Sequence, residues 1–303
     1  MNEKQFVECT CSDVRAPGHV DILAVRPYSV DENKRRLRRL IGEMGEICQR
    51  SLDRADWLQE ADRTVARLPQ GGRAEVFHAS GALSLKTGLQ TMEALFERME
   101  SREELQKRVQ DVAAQLRLSG WLGQRDTIVF ERLWQIKAAA ADRDNKTIDP
   151  VLCRAVGAFR QSVGPLPVWG GASVAIKIAA GGAIDSVAMQ LLESYGDALE
   201  SAAVVSPDEA AKLVYRQLES LMGRSKAPVS DLKVLSEPLR LGYIHLGKRK
   251  AQRVLAPHYV AAIRIEGEER QAYQFIVPAT QKTFQPLCLA GQQAPTPEMR
   301  RAA

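Results

Sequence analysis

The residues of this chain that could do chemistry are few: four histidines, five cysteines and a small set of aromatics beside arginines. His19, His78, His245 and His258 stand at no metal-ligand spacing from one another, so no metal site is expected. His245 follows Leu239, Leu241 and Tyr243 at period two, which puts it on one face of a predicted strand. His258 and Tyr259 fall on the next predicted strand. Two histidines and two tyrosines on adjacent strands could shuttle protons, which makes His245, His258 and Tyr259 the candidate acid–base set. Histidines satisfied within a sheet give the same pattern and are the commoner case.

A second set could bind rather than react. Trp134 and Trp169 are predicted within one sheet, where aromatics under a helix can line a pocket. Arg132 is the odd member of an otherwise apolar face with Phe130 and Trp134. A charge there must be paired or solvated, so it is the best single residue for a buried polar contact or an anionic ligand. With Tyr243, these form the expected ligand-binding set of Arg132, Trp134, Trp169 and Tyr243. The basic runs at 34–39 and 248–253 could meet phosphates or acidic protein. They lie far apart with little aromatic interleaving, so solvated faces are expected and nucleic acid is not the expected partner.

Other chemistry lacks its motif. Neither a Walker nor a dinucleotide glycine loop is present, so no cofactor is expected. Ala79-Ser80-Gly81 lacks the first glycine of a nucleophile elbow. Cys153 precedes Arg154, a neighbour that lowers a thiol pKa, but it sits in an apolar strand and reads as core. Cys9, Cys11, Cys48, Cys153 and Cys288 are odd in number and irregular in spacing, which fits free thiols in a reducing, cytoplasmic setting. The first twelve residues lack the apolar core of a signal peptide. No apolar run approaches the roughly 20 residues that span a membrane. A net charge of +5 over 303 residues is too mild to dictate a partner.

The elements that must position these groups follow one plan. A short strand at 19–27 precedes the capping box Ser29-x-x-Glu32 and a helix with Leu37, Leu40, Ile41 and Met44 on one face. A strand or hairpin follows at 73–85. Ser101-x-x-Glu104 then caps a second helix, with Leu105, Val109, Val112 and Ala113 as its stripe. Strands are expected at 127–138, 152–163, 174–178 and 184–191, the last two joined at Gly181-Gly182. In the first strand Ile128, Phe130, Trp134 and Ile136 should share a face. Ser206-Pro-Asp-Glu209 starts a third helix, with Ala210, Val214, Leu218 and Leu221 inward. Strands at 239–246, 257–265 and 272–277 follow, with a short edge strand at 282–287 and a polar tail from 291.

The expected class is therefore α+β, with two tandem units of one helix on an antiparallel sheet. The expected divisions are an N-terminal strand-helix-strand region at 1–88, units at 89–200 and 201–290, and a tail at 291–303.

Leu166-Pro-Val-Trp-Gly-Gly, the alternating 174–178, Pro207-Asp-Glu-Ala-Ala-Lys-Leu-Val and Tyr273-Gln-Phe-Ile-Val-Pro-Ala resemble the propeptides of thermolysin-like metallopeptidases, which pair two cystatin-like (PepSY-like) units. The resemblance covers about half the chain. It implies a fold used for binding or inhibition. The peptidase's His-Glu-x-x-His helix is absent, and the run Gly247-Lys-Arg-Lys departs from the pattern. The leading expectation is a non-enzymatic protein that holds a partner protein, peptide or small ligand on curved sheets. The alternative is a cytoplasmic biosynthetic or modifying enzyme with acid–base residues in a sheet-lined pocket.

Overall fold

A computed structural model gives the fold and describes residues 1–12, 14–52, 54–90, 93–97, 100–139, 149–223, 234–266, 272–285 and 287. Cys288, the acidic turn after Glu266 and the tail at 291–303 lie outside these residues.

Local chemistry starts the helices where the sequence places them. Helix α1 is Glu3–Cys11, α2 is Val30–Cys48, α3 is Arg102–Gln115 and α4 is Pro207–Gly223. At α2 the Glu32 amide donates to Ser29 Oγ at 3.2 Å, and the Ser29 amide donates back to Glu32 Oε2 at 2.8 Å. Ser101/Glu104 and Ser206/Glu209 repeat this exchange. Each box satisfies two of the four orphan N–H groups of a helix start. In α4 the inward stripe is Ala210, Val214, Leu218 and Met222. Leu221, expected in that stripe, is exposed because the i+4 row continues at Met222.

Helix-then-strands occurs three times, not twice. Helix α2 leads into β2 (Asp56–Gln59), β3 (Arg63–Arg67), β4 (Arg73–Phe77) and β5 (Leu83–Lys86). Helix α3 leads into β6 (Asp126–Ala138), β7 (Val151–Val163), the spur β8 (Leu166–Trp169), β9 (Val174–Ile178) and β10 (Ile184–Met189). Helix α4 precedes β12 (Val234–Ser236), β13 (Arg240–Ile244), β15 (Pro257–Ile265) and β16 (Ala272–Pro278). The region before residue 88 thus carries a strand pair, β2–β3, beyond the expected hairpin. The edge strand expected at 282–287 does not form among the described residues, where Thr280 Oγ1 instead turns back to the Lys282 carbonyl.

The strands form a 13-stranded sheet and a three-stranded one. The large sheet joins the α2 and α3 runs through their last strands, with Val187 opposite Leu85 in an antiparallel pair. A short parallel pair, Tyr243 to Val168, attaches the α4 run. The small sheet sets β1 (His19–Val25) between β11 (Ser194–Ala203) and β14 (Val254–Leu255). One face of the large sheet packs under α2 and α3, and their apolar stripes share a single core. Helix α3 meets β7 at Gly157, where an added Cβ would stand 3.0 Å from the Val109 Cβ and inside its Cγ1 methyl. Helices α1 and α4 share a second core, in which Phe6 tilts onto Tyr215 at 5.5 Å.

Strand β6 changes phase midway. Phe130 pairs with Phe159, but Arg132 pairs with Ala158, so Glu131 is a bulge residue. One extra residue sends every later side chain to the other face. Leu133 becomes the buried residue, whereas Trp134 is 42% exposed and Ile136 41%. The expected shared face for Phe130, Trp134 and Ile136 is corrected accordingly, and Arg132 is solvated rather than buried, its guanidinium 4.7 Å from the Trp134 ring. Leu133→Ala is expected to cost about 2 kcal/mol of unfolding free energy, a low value for a buried leucine because the strand is at an edge. Trp134→Ala should cost less than about 1 kcal/mol. Urea unfolding of both variants checks the phase, since a strand without the bulge reverses their order.

Candidate functional site

The end of β1 leads to a cleft that neither helix stripe explains. The Arg26 amide donates to the Glu193 carbonyl at 2.8 Å, which anchors the segment Arg26-Pro27-Tyr28 before the Ser29 cap. Helix α2 then presents Glu32, Arg35, Arg36 and Arg39 at successive turns, beside its core face. A 3₁₀ turn at Leu118–Trp121 closes the far side. The cleft encloses about 360 Å³ and is lined by four arginines against two glutamates, Glu32 and Glu193.

Its charges are unevenly matched. Arg26 spends both carboxylates, reaching Glu193 Oε1 at 3.0 Å and Glu32 Oε1 at 3.3 Å. The Tyr28 hydroxyl donates to Glu193 Oε2 at 2.6 Å. Burial pushes the Tyr28 phenol up to about 12, with the Glu193 carboxylate adding to the rise against the pull of Arg36. Arg39 lies 4.1 Å from the Trp121 ring and pairs with Glu43 at 2.7 Å. Arg36 differs from both. Its guanidinium lies 3.9 Å from the Tyr28 ring, and Nη1 donates to the Gly81 carbonyl at 2.8 Å. No carboxylate of the described residues forms an ion pair with it, and burial holds its pKa below the usual arginine value. A desolvated cation with only neutral partners favours any anion that reaches it.

Gly81 makes this approach possible. A Cβ there would stand 2.6 Å from Arg36 Nη1 and 2.7 Å from the Tyr28 ring, and the residue has φ of +68°. Its neighbour Ser80 donates from Oγ to the Lys248 carbonyl at 2.6 Å. Val25 donates its amide to the Arg253 carbonyl at 2.9 Å. The loop around residue 80 therefore holds the two basic runs, expected as separate solvated faces, on either side of Tyr28. A smaller cavity of about 110 Å³ lies there, sharing Arg26 and Tyr28 with the cleft and adding His78, Ser80 and Arg253.

Two other clefts, of about 410 and 430 Å³, compare with this one in volume. In the first Arg108 pairs with Glu100 at 3.1 Å, and in the second Lys212 and Arg216 are exposed. Among the described residues neither holds a half-buried cation without an ion pair.

The residues expected from the sequence to act go elsewhere. Tyr259 is fully buried and donates to the Val205 carbonyl at 2.9 Å, within the core under α4. His258 precedes it and so faces the other side of β15, with Nδ1 at 2.9 Å from the Ala256 carbonyl. His245 Nδ1 accepts the Gly247 amide at 2.9 Å. Tyr243 donates to the Asp21 carbonyl at 2.8 Å. The proposed acid–base set is not brought to one point. Trp169 donates to the Leu241 carbonyl at 3.2 Å and lies between Arg160 and Arg240, at 5.3 and 4.8 Å. Trp134 and Arg132 are exposed on β6, and Glu131 links them to this group, 4.0 Å from Arg132 and 2.7 Å from Arg160. Cys153 is buried, as a core thiol would be. Among the described residues no three histidine, cysteine or acidic side chains cluster to hold a metal ion.

No family model and no curated protein matches this chain. Among solved structures, an uncharacterized protein from Eubacterium rectale ATCC 33656 matches with a TM-score of 0.54 and 12% identity, over 88% of this chain and 86% of that one. At that identity the likeness concerns the fold alone. Among the described residues no helix is long and apolar enough to cross a membrane.

Proposed function

We propose that this chain is a non-enzymatic binding protein and that the Tyr28–Arg36 cleft holds an anionic group of its ligand, a phosphate or a carboxylate. One observation carries the reading: Arg36 is half-buried at the cleft wall, against the Tyr28 and Trp121 rings, its hydrogen bonds go to neutral oxygens, and it forms no ion pair among the described residues. The dispersal of His245, His258 and Tyr259, each already engaged by backbone groups, supports binding over acid–base turnover. The site sits beside a helix and a loop rather than on an open curved sheet, which shifts the expected location of binding. The capped helix and antiparallel strands of the α3 and α4 runs support the tandem cystatin-like reading of those segments. The free thiols Cys9, Cys11, Cys48 and Cys153 support a reducing, cytoplasmic compartment.

Calorimetric titration with inorganic phosphate tests the proposal. Arg36→Ala should weaken binding about tenfold or more, the scale of one or two charge-assisted hydrogen bonds. Arg36→Lys should restore part of it, since charge returns without the fork. The reading fails if wild type and Arg36→Ala bind phosphate equally, or if the wild type binds neither phosphate nor a carboxylate such as citrate.

A further inference from the structure

We infer that the ligand is an oligophosphate chain, which starts at Arg36 and runs past Tyr28 into the smaller cavity at Arg253. This rests on the anion-binding reading above and names the ligand class.

Three features carry it. First, the two cavities lie side by side with Arg26 and Tyr28 in both linings, so an extended ligand that passes over these two side chains reaches both. Second, both ends are cationic and short of counter-charge. Arg35 and Arg36 in the cleft have no ion pair among the described residues, and the same holds for Arg253. Among the described residues no carboxylate lines the smaller cavity. A ligand with a single negative group leaves one end unneutralised, whereas a chain of linked phosphates neutralises both.

Third, the aromatic groups are taken. Arg36 covers Tyr28 at 3.9 Å, and Arg39 lies against Trp121, which is only 7% exposed. Single-stranded nucleic acid is held by bases stacked on open rings, and among the described residues the one other ring at this site, His78, is half-buried and held at 2.9 Å by the Thr64 hydroxyl. The smaller cavity, at about 110 Å³ against 360 Å³, is also under a third of the size of the cleft. Narrow, cationic and without a stacking platform, the channel fits phosphates rather than nucleobases.

The test compares orthophosphate, tripolyphosphate, a nucleoside triphosphate and an oligoglutamate on the full chain by calorimetry at fixed salt. Tripolyphosphate should bind at least about tenfold more tightly than orthophosphate, a difference of 1.4 kcal/mol. Arg253→Ser should abolish that gain and leave orthophosphate binding intact, while Arg36→Ala should weaken both. Arg253 is exposed, so thermal unfolding of the Arg253→Ser protein should match wild type. A nucleoside triphosphate that binds as tightly as tripolyphosphate supports the chain and makes a nucleotide its source, whereas a weaker one supports an inorganic chain. If orthophosphate and tripolyphosphate bind alike, the oligophosphate inference is overturned and the anion cleft stands. If oligoglutamate binds and tripolyphosphate does not, the ligand is an acidic peptide and the inference is likewise overturned. Absence of binding by every probe removes both readings.

Discussion

Gly157→Ala is expected to destabilise the chain by about 3 kcal/mol, at the upper end for one added methyl in a packed core. The position lies within β7, where glycine is otherwise a poor choice. It packs no side chain, and its loss of freedom on folding costs roughly 0.5–1 kcal/mol relative to alanine. Alanine would therefore stabilise the strand if there were room. There is none, because α3 rests on β7 through Val109, whose Cγ1 occupies the place of the missing methyl. Val109 is fully buried, so it cannot swing to solvent, and α3 is held by Leu105 and Val112 on either side. A double-mutant cycle isolates the contact. Val109→Ala alone should cost about 2 kcal/mol for lost methyls and the space they leave. The pair Val109→Ala with Gly157→Ala should cost at least about 1 kcal/mol less than the sum, because the new methyl fills that space. Urea unfolding of the four proteins gives the answer. A stabilised Gly157→Ala protein would mean that α3 does not lie on β7 at this residue.

That contact also marks the boundary of what the sequence discloses. Helix starts at Ser29, Ser101 and Ser206 were legible because a capping box is chemistry between residues three apart. The strands β7, β9, β10, β15 and β16 were legible from period two. The phase of β6 was not, because a bulge at Glu131 leaves no mark on composition and reverses every later side chain. Helix α1 carries the same exchange between Asn2 and Gln5, but with only Phe6 and Thr10 buried no apolar stripe follows the box, and its packing on α4 has no local signal. The β5–β10 and β8–β13 pairs join distant segments, and pairing of that kind has no local code. The candidate site divides in the same way. Its basic residues stood out as two runs, and each alone reads as a solvated face. Tyr28, Gly81, Trp121 and Glu193 carried no signal, since their part depends on a loop that holds both runs together. One clue was available: Arg35, Arg36 and Arg39 share a side of α2 that adjoins the tyrosine preceding its cap.

Acidification from pH 7 to pH 4 should remove about 3 kcal/mol of stability through His245 alone, by the usual 1.36 kcal/mol per pKa unit. Its Nδ1 accepts the Gly247 amide at 2.9 Å, which assigns the ring as neutral with its proton on Nε2. Burial pulls its pKa from the ordinary 6.5 down to about 4. In the folded chain the ring therefore stays neutral over a range in which the unfolded chain protonates it. The unfolded state binds more protons there, so stability rises with pH across that range. The contribution is complete above about pH 6.5 and is lost as pH falls toward 4, below which both states are protonated. His258, also lowered chiefly by burial, adds in the same direction. Asp126 opposes them at the acidic end, because burial raises its carboxyl and the folded state then takes up the proton first. Chemical unfolding at pH 7, 6 and 5 should show the decline for wild type. His245→Gln keeps an acceptor for the Gly247 amide but cannot titrate, so its stability should fall less steeply over the same range. Equal slopes for the two proteins would place the effect outside His245 and return this ring to the ranks of ordinary exposed histidines.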